Sequence, residues 1–202
     1  MTSSVFASAA AAFARLVRAI PETSWEGPGL GDWDMRALVG HTSRSLVTVS
    51  EYLRAPADHE DVDDAVAYYV WVRDFMGSAG AEAINERGRQ AGRDLGADPV
   101  DAVDRLVARA LADVENAGDP VISVIGGLGI RLSHYLQTRV FELTVHGVDI
   151  ARAAGLDVEP PADAMEQSAV LATRVAARLG QGETVLSALT GRSALPPGYS
   201  VV

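Results

Sequence analysis

The sequence predicts an all-α protein, an up-down helical bundle with short connections. Three observations point there. Apolar residues recur at three- and four-residue spacing through most of the chain, proline and glycine interrupt it at helix-length intervals, and no segment shows convincing strand-type alternation. No internal repeat is present, so the helices belong to one bundle rather than to a solenoid.

The elements follow in order. A first helix spans roughly Ser3 to Ile20 and stops at Pro21, and PETSWEGPGLGDWD is a Gly/Pro-rich loop. Asp32 or Asp34 caps a second helix, with Met35, Leu38, Thr42, Leu46, Val49 and Leu53 along one side and Pro56 at its end. Asp61 or Asp63 starts a third stretch through Tyr68, Val72 and Phe75, which Gly77 and Gly80 break before a polar continuation to Leu95. Asp98-Pro99 carries the cap-plus-first-turn-proline signature of a helix through Leu106, Ala110 and Val114. VISVIGGLGI reads as an extended run or a buried loop. A long helix then runs from about Ile130 to Ala154 and stops at Gly155. Pro160-Pro161 restarts a helix that ends near Gly180, and a short helix and an irregular segment with Pro196-Pro197-Gly198 follow. One domain is expected, with residues 1–180 as the bundle and residues 181–202 as a short C-terminal tail packed on it.

Composition removes several chemistries. Of 202 residues, 17 are basic and 27 acidic, a net charge of −10, and every basic residue is Arg. Without Lys there is no Schiff-base or Walker lysine. Without Cys there is no disulfide, no protein thiolate and no Cys-ligated metal, so a metal site must be built from His, Asp and Glu. A sequence pI near 4.8 argues against nucleic acid as a partner. The apolar stretches are too short for a membrane span, and the Ala-rich N-terminus lacks a basic leader region and reads as an amphipathic helix, so a cytoplasmic protein is expected.

The long helix carries the chemistry. With residues 100° apart and Glu142 at zero, Arg131, Tyr135, Thr138, Arg139, His146 and Asp149 fall within about 60° of it, while Leu132, Leu136, Val140, Leu143 and Ile150 gather on a neighbouring face. Glu142 and His146 form an i,i+4 pair whose side chains can converge on one metal ion; the ordinary alternative is a solvated surface pair. Asp149 can orient the second ring nitrogen of His146 or serve as another ligand. Arg139, one turn before Glu142, can orient that carboxylate or a substrate carboxylate, or make a plain surface ion pair. A third ligand must come from another helix. His41 is the natural candidate, on the inward side of the second helix; its alternative is a hydrogen-bonded core histidine. His59 lies in an acidic loop, and His134 stands about 80° off the Glu142 direction. Tyr68, Tyr69, Trp71 and Phe75 read as core or as the wall of a substrate cleft. The Gly126–Gly129 run lacks the spacing, context and lysine of a phosphate loop.

Two segments resemble a known family. WDMRALVGHTSRSL, with Trp33, Leu38 and His41, resembles the first ligand helix of the DinB-like metalloproteins, in their mycothiol-dependent maleylpyruvate isomerase N-terminal domain branch. YLQTRVFELTVHGVDIARAAG resembles that branch's second signature at Arg139, Glu142, His146 and Asp149. The resemblance implies an up-down-down-up four-helix bundle with short additional helices. It implies a divalent metal, most often zinc, held by His41, Glu142 and His146, with Arg139 and Asp149 as catalytic residues. It further implies a metal-dependent thiol transferase or isomerase-like enzyme with mycothiol as cosubstrate and an electrophilic small molecule as substrate. A homodimer and an actinobacterial source accompany it. The maleylpyruvate isomerases carry a further C-terminal domain, for which the residues after about Gly180 are too few. Two other functions use the same frame: a non-catalytic metal- or ligand-binding interaction module, and a metal-dependent hydrolase.

Overall fold

A computed structural model describes residues 2–76 and 81–202. Its helices are α1 (Thr2–Ala19), α2 (Met35–Tyr52), α3 (Ala65–Met76), α4 (Ala81–Asp94), α5 (Pro99–Glu115), α6 (Leu132–Ala154), α7 (Ala162–Arg178) and α8 (Gly182–Leu189). Strands β1 (Val121–Ser123) and β2 (Gly129–Arg131) form an antiparallel pair before α6. No helix among the described residues is long and apolar enough to cross a membrane.

Four helices close the bundle, with α1 against α6, α6 against α2, α2 against α5 and α5 against α1. Long-range contacts fix their directions. The end of α1 meets the start of α5 through Arg18–Asp104 at 2.6 Å. The starts of α2 and α5 lie together, where Arg36 donates to the Gly96 carbonyl. Tyr135, early in α6, donates to Thr48, late in α2, while His146, late in α6, meets His41, early in α2. The order is therefore up-down-down-up. Phe6, Phe13, Leu38, Leu46, Leu132, Leu136 and Ile150 fill the centre with almost no exposure. Truncating such a residue to Ala costs about 2–5 kcal/mol.

Local chemistry sets the helix ends. Asp34, not Asp32, caps α2 by accepting from the Ala37 amide at 2.7 Å. Asp98 caps α5 in the same way, with Pro99 in the first turn. The third helix starts later than Asp61 or Asp63 would place it: Asp64 accepts from the Ala67 amide, and Asp61 instead accepts from the Gly129 amide. Gly77 and Gly80, the expected breakers, lie outside the described residues. The polar continuation after them is α4, which crosses α2 backbone to backbone. A Cβ on Gly40 would stand 2.2 Å from the Gly92 amide nitrogen, so the crossing requires glycine. The run VISVIGGLGI is a small hairpin, extended by bridges from Pro56 to Ile122 and from Val62 to Ile130. Strands of three residues are too short to show a period, and pairing of Arg131 with Val121 delays the start of α6 to Leu132. Gly155, at φ 65°, ends α6 in the left-handed conformation. Helix α8 packs on α7 with Leu186 and Leu189 exposed, and Val201 packs back against the core.

Candidate metal centre

The polar stripe of α6 faces inward. Tyr135 and Thr138 are fully buried, and Glu142, His146 and Asp149 are half-buried, Glu142 meeting α3 and His146 meeting α2. This separates the stripe from a solvated surface row, because groups taken out of water need partners.

His41, Glu142 and His146 each present a ligand atom, and these atoms all lie within 4.8 Å of one another. The Nε2 of His146 stands 3.5 Å from an oxygen of Glu142. Two donors about 2.1 Å from a tetrahedral zinc stand roughly 3.4 Å apart, so this pair is already at ligand spacing. The His41 ring meets the His146 ring edge-on at 5.0 Å and also packs on Trp33 at 4.4 Å. Among the described residues no hydrogen bond reaches the His41 ring, which excludes the hydrogen-bonded core histidine. Two imidazoles and a carboxylate are a donor set suited to zinc and neighbouring divalent metals.

The surrounding groups orient these three. The Nδ1 of His146 lies 3.2 Å from Asp149, which fixes the ring and turns Nε2 toward Glu142. Asp149 touches the ring nitrogen that faces away from Glu142, and it is not among the three residues whose ligand atoms converge. Tyr69, from α3, donates to the Oε1 of Glu142 at 2.7 Å and leaves Oε2 facing His146. Arg139 pairs with no carboxylate among the described residues. Its guanidinium sits over the Tyr135 ring at 4.7 Å, with Tyr68 at 6.0 Å, and its Nε donates to Thr138.

The electrostatics divide the two histidines. Burial and the neighbouring His146 hold His41 down at about 4, so it is neutral and keeps a lone pair at pH 7. Burial also disfavours charge on His146, but hydrogen bonds to Asp149 and Glu142 outweigh it and raise it to about 9. Burial pushes Glu142 up; hydrogen bonds from His146 and Tyr69 and the charge of Arg139 outweigh that and hold it at about 2. At pH 7 His146 is therefore an imidazolium, with Nε2 toward Glu142 and Nδ1 toward Asp149.

A cleft of about 760 Å³, counting its open mouth, lies beside the cluster and is lined by His41, Glu142, Arg44, Tyr52, Tyr68 and Arg139 among others. Tyr68 thus serves the cleft, Tyr69 serves Glu142, and Trp71 stacks on Phe75 over Gly126. His59 is exposed, and His134 faces Glu60 at 3.6 Å near the start of α6, so neither joins the cluster. The role of Tyr69 was not readable from the sequence: nothing local reveals which α3 aromatic meets Glu142, 73 positions later.

An up-down-down-up bundle with a His–Glu–His cluster on the seam of two antiparallel helices has the DinB-like architecture. Residues 6–151 match the mycothiol maleylpyruvate isomerase N-terminal domain, and the chain belongs to that family. No curated protein and no solved structure gives a significant match.

Proposed function

We propose that the protein is a metal-dependent thiol transferase in which His41, Glu142 and His146 hold a divalent metal, zinc, and mycothiol is the thiol donor. The observation that carries this reading is the cluster itself: three ligands from two helices, beside an open cleft. Three protein ligands leave a further coordination position, the arrangement of catalytic rather than structural sites. When bound, the metal would lower the pKa of a thiol so that it is ionised at neutral pH. Since the chain has no Cys, the sulfur must arrive on a cosubstrate.

The chain's own residues do the rest. Asp149 holds His146 in one orientation by accepting a hydrogen bond from its Nδ1–H. Tyr69 holds one oxygen of Glu142 by its hydroxyl, so that the carboxylate offers the other. Trp33 and His146 both pack on the His41 ring and limit its rotation. Family membership adds mycothiol as the first thiol to try.

The test is turnover. Zinc-loaded protein is incubated with mycothiol and the neutral electrophile monobromobimane, and conjugate is measured against metal-free protein. The expected result is conjugate formation faster than the spontaneous reaction of thiol and bimane, an excess that requires both metal and protein. Equal rates with and without metal would overturn the reading. Metal-dependent ester cleavage without thiol would indicate a hydrolase, and stoichiometric metal with no turnover a binding module.

A further inference from the structure

The acidic surface of this protein neutralises most of its arginines. Arg18 pairs with Asp104 and Arg93 with Glu86, each at 2.6 Å, Arg131 with Glu60 at 2.8 Å and Arg174 with Asp64 at 2.9 Å. Arg44 and Arg139 differ. Both line the cleft beside His41 and Glu142, both are half-buried, and neither forms an ion pair among the described residues. Among the described residues Glu142 is the only carboxylate on that lining, and it is engaged by Tyr69 and His146. Arg44 and Arg139 thus face a single carboxylate, which Arg139 already helps to keep ionised, and this leaves positive charge in the cleft of a protein whose net charge is −10.

We propose that Arg44 and Arg139 form an anion subsite that binds the carboxylate of the electrophilic substrate. Arg139 is pre-set for this: the rings of Tyr135 and Tyr68 and the Thr138 hydroxyl hold it in place, so little side-chain entropy is lost on binding. Arg44 approaches from α2, one turn after His41. Of the remaining wall, Tyr52, Tyr68, Val72, Ile84 and Ile125 suit an apolar body, while Arg87 adds a third arginine to the lining. The substrate class is therefore an amphipathic organic acid: a carboxylate on the arginine pair, an apolar portion along the aromatic wall and the electrophilic carbon toward His41 and Glu142. This deepens the thiol-transferase reading, on which its role in catalysis rests; the binding itself does not depend on it.

Binding is measured by calorimetry on the metal-free protein, so that a carboxylate cannot report metal coordination. The probes are trans-cinnamate and the uncharged, nearly isosteric trans-cinnamamide. A charge-assisted hydrogen bond contributes enough to separate them by roughly tenfold to a hundredfold. Cinnamate is expected to bind at least about tenfold more tightly than the amide. Arg44→Gln should abolish that preference, and Arg44→Lys should keep part of it. Equal binding of acid and amide by the wild type overturns the proposal, and needs no variant to fold. So does a preference that survives Arg44→Gln in a protein of unchanged circular dichroism. Sulfate displacing cinnamate as well as unlabelled cinnamate does would reduce the site to an inorganic-anion site and overturn the substrate class. Monobromobimane, being neutral, tests thiol transfer without this subsite, so either claim can fail while the other stands.

Discussion

The seam between α2 and α6 holds two polar groups of opposite character. At one end Tyr135 donates to Thr48 at 2.8 Å, and Thr48 donates to the Arg44 carbonyl at 2.8 Å. That chain is closed: each hydroxyl proton has an acceptor inside the protein. Burial pushes the Tyr135 hydroxyl far above its ordinary range, so it stays a neutral donor. Roughly two to three helical turns away, His41, Glu142 and His146 point ligand atoms at one another, and the His41 ring has no hydrogen-bond partner among the described residues. The same two helices thus carry a satisfied pair, which holds structure, and a convergent set of ligand atoms in which the neutral His41 ring is left without a partner and His146 keeps a proton that a metal would displace. Burial alone does not separate the two; the accounting of donors and acceptors does.

The contrast predicts a double dissociation. The largest effect belongs to the ligands: Glu142→Gln or His41→Ala should weaken zinc binding more than about a hundredfold, beyond the range seen for outer-shell partners, while leaving the fold intact. Competition against a chromophoric chelator measures this.

Next comes pH. Zinc must displace the proton that His146 keeps up to about 9, so affinity should rise with pH by up to about tenfold per unit between pH 7 and 9 and then level. The metal-free fold should respond in the opposite sense. His146 is raised from 6.5 to about 9 on folding, so its contribution is complete below pH 6.5 and lost as pH rises through 9. His41 is lowered from 6.5 to about 4, so its contribution is complete above pH 6.5 and lost as pH falls through 4. Urea midpoints of the metal-free protein should therefore peak near pH 6.5.

The outer partners come third. Asp149→Asn and Tyr69→Phe should each cost about ten- to a hundredfold in zinc affinity, since they loosen His146 and Glu142 without removing a ligand. The smallest effect belongs to the closed pair. Tyr135→Phe should lower stability by about 1 kcal/mol, read as a lower urea midpoint, and leave zinc affinity unchanged. A variant of the closed pair that abolished zinc binding would break the comparison.

Much of this was legible in the sequence because it is local. The i,i+4 relation of Glu142 and His146 lies within one helix, and the 100° geometry places Asp149 beside them. Capping at Asp34 and Asp98 follows from side-chain reach along the chain. What escaped depends on register between elements. The Tyr69–Glu142 bond, the cleft-facing Arg44 and the Gly40–Gly92 crossing are set by how α3 and α4 lie across the bundle, and no spacing in the chain encodes that. Arg139 carries a second lesson. Its i,i+3 relation to Glu142 suggests an ion pair, yet the preceding Tyr135 offers a ring face one turn away and takes the guanidinium.

The most direct test of the central claim is a zinc titration of the metal-stripped wild type beside a His41→Ala/His146→Ala variant, followed by calorimetry and elemental analysis. A stoichiometry of one zinc per chain for the wild type, with none retained by the folded variant, is the predicted result. A wild type that holds no stoichiometric metal, or a variant that holds as much, would contradict the account.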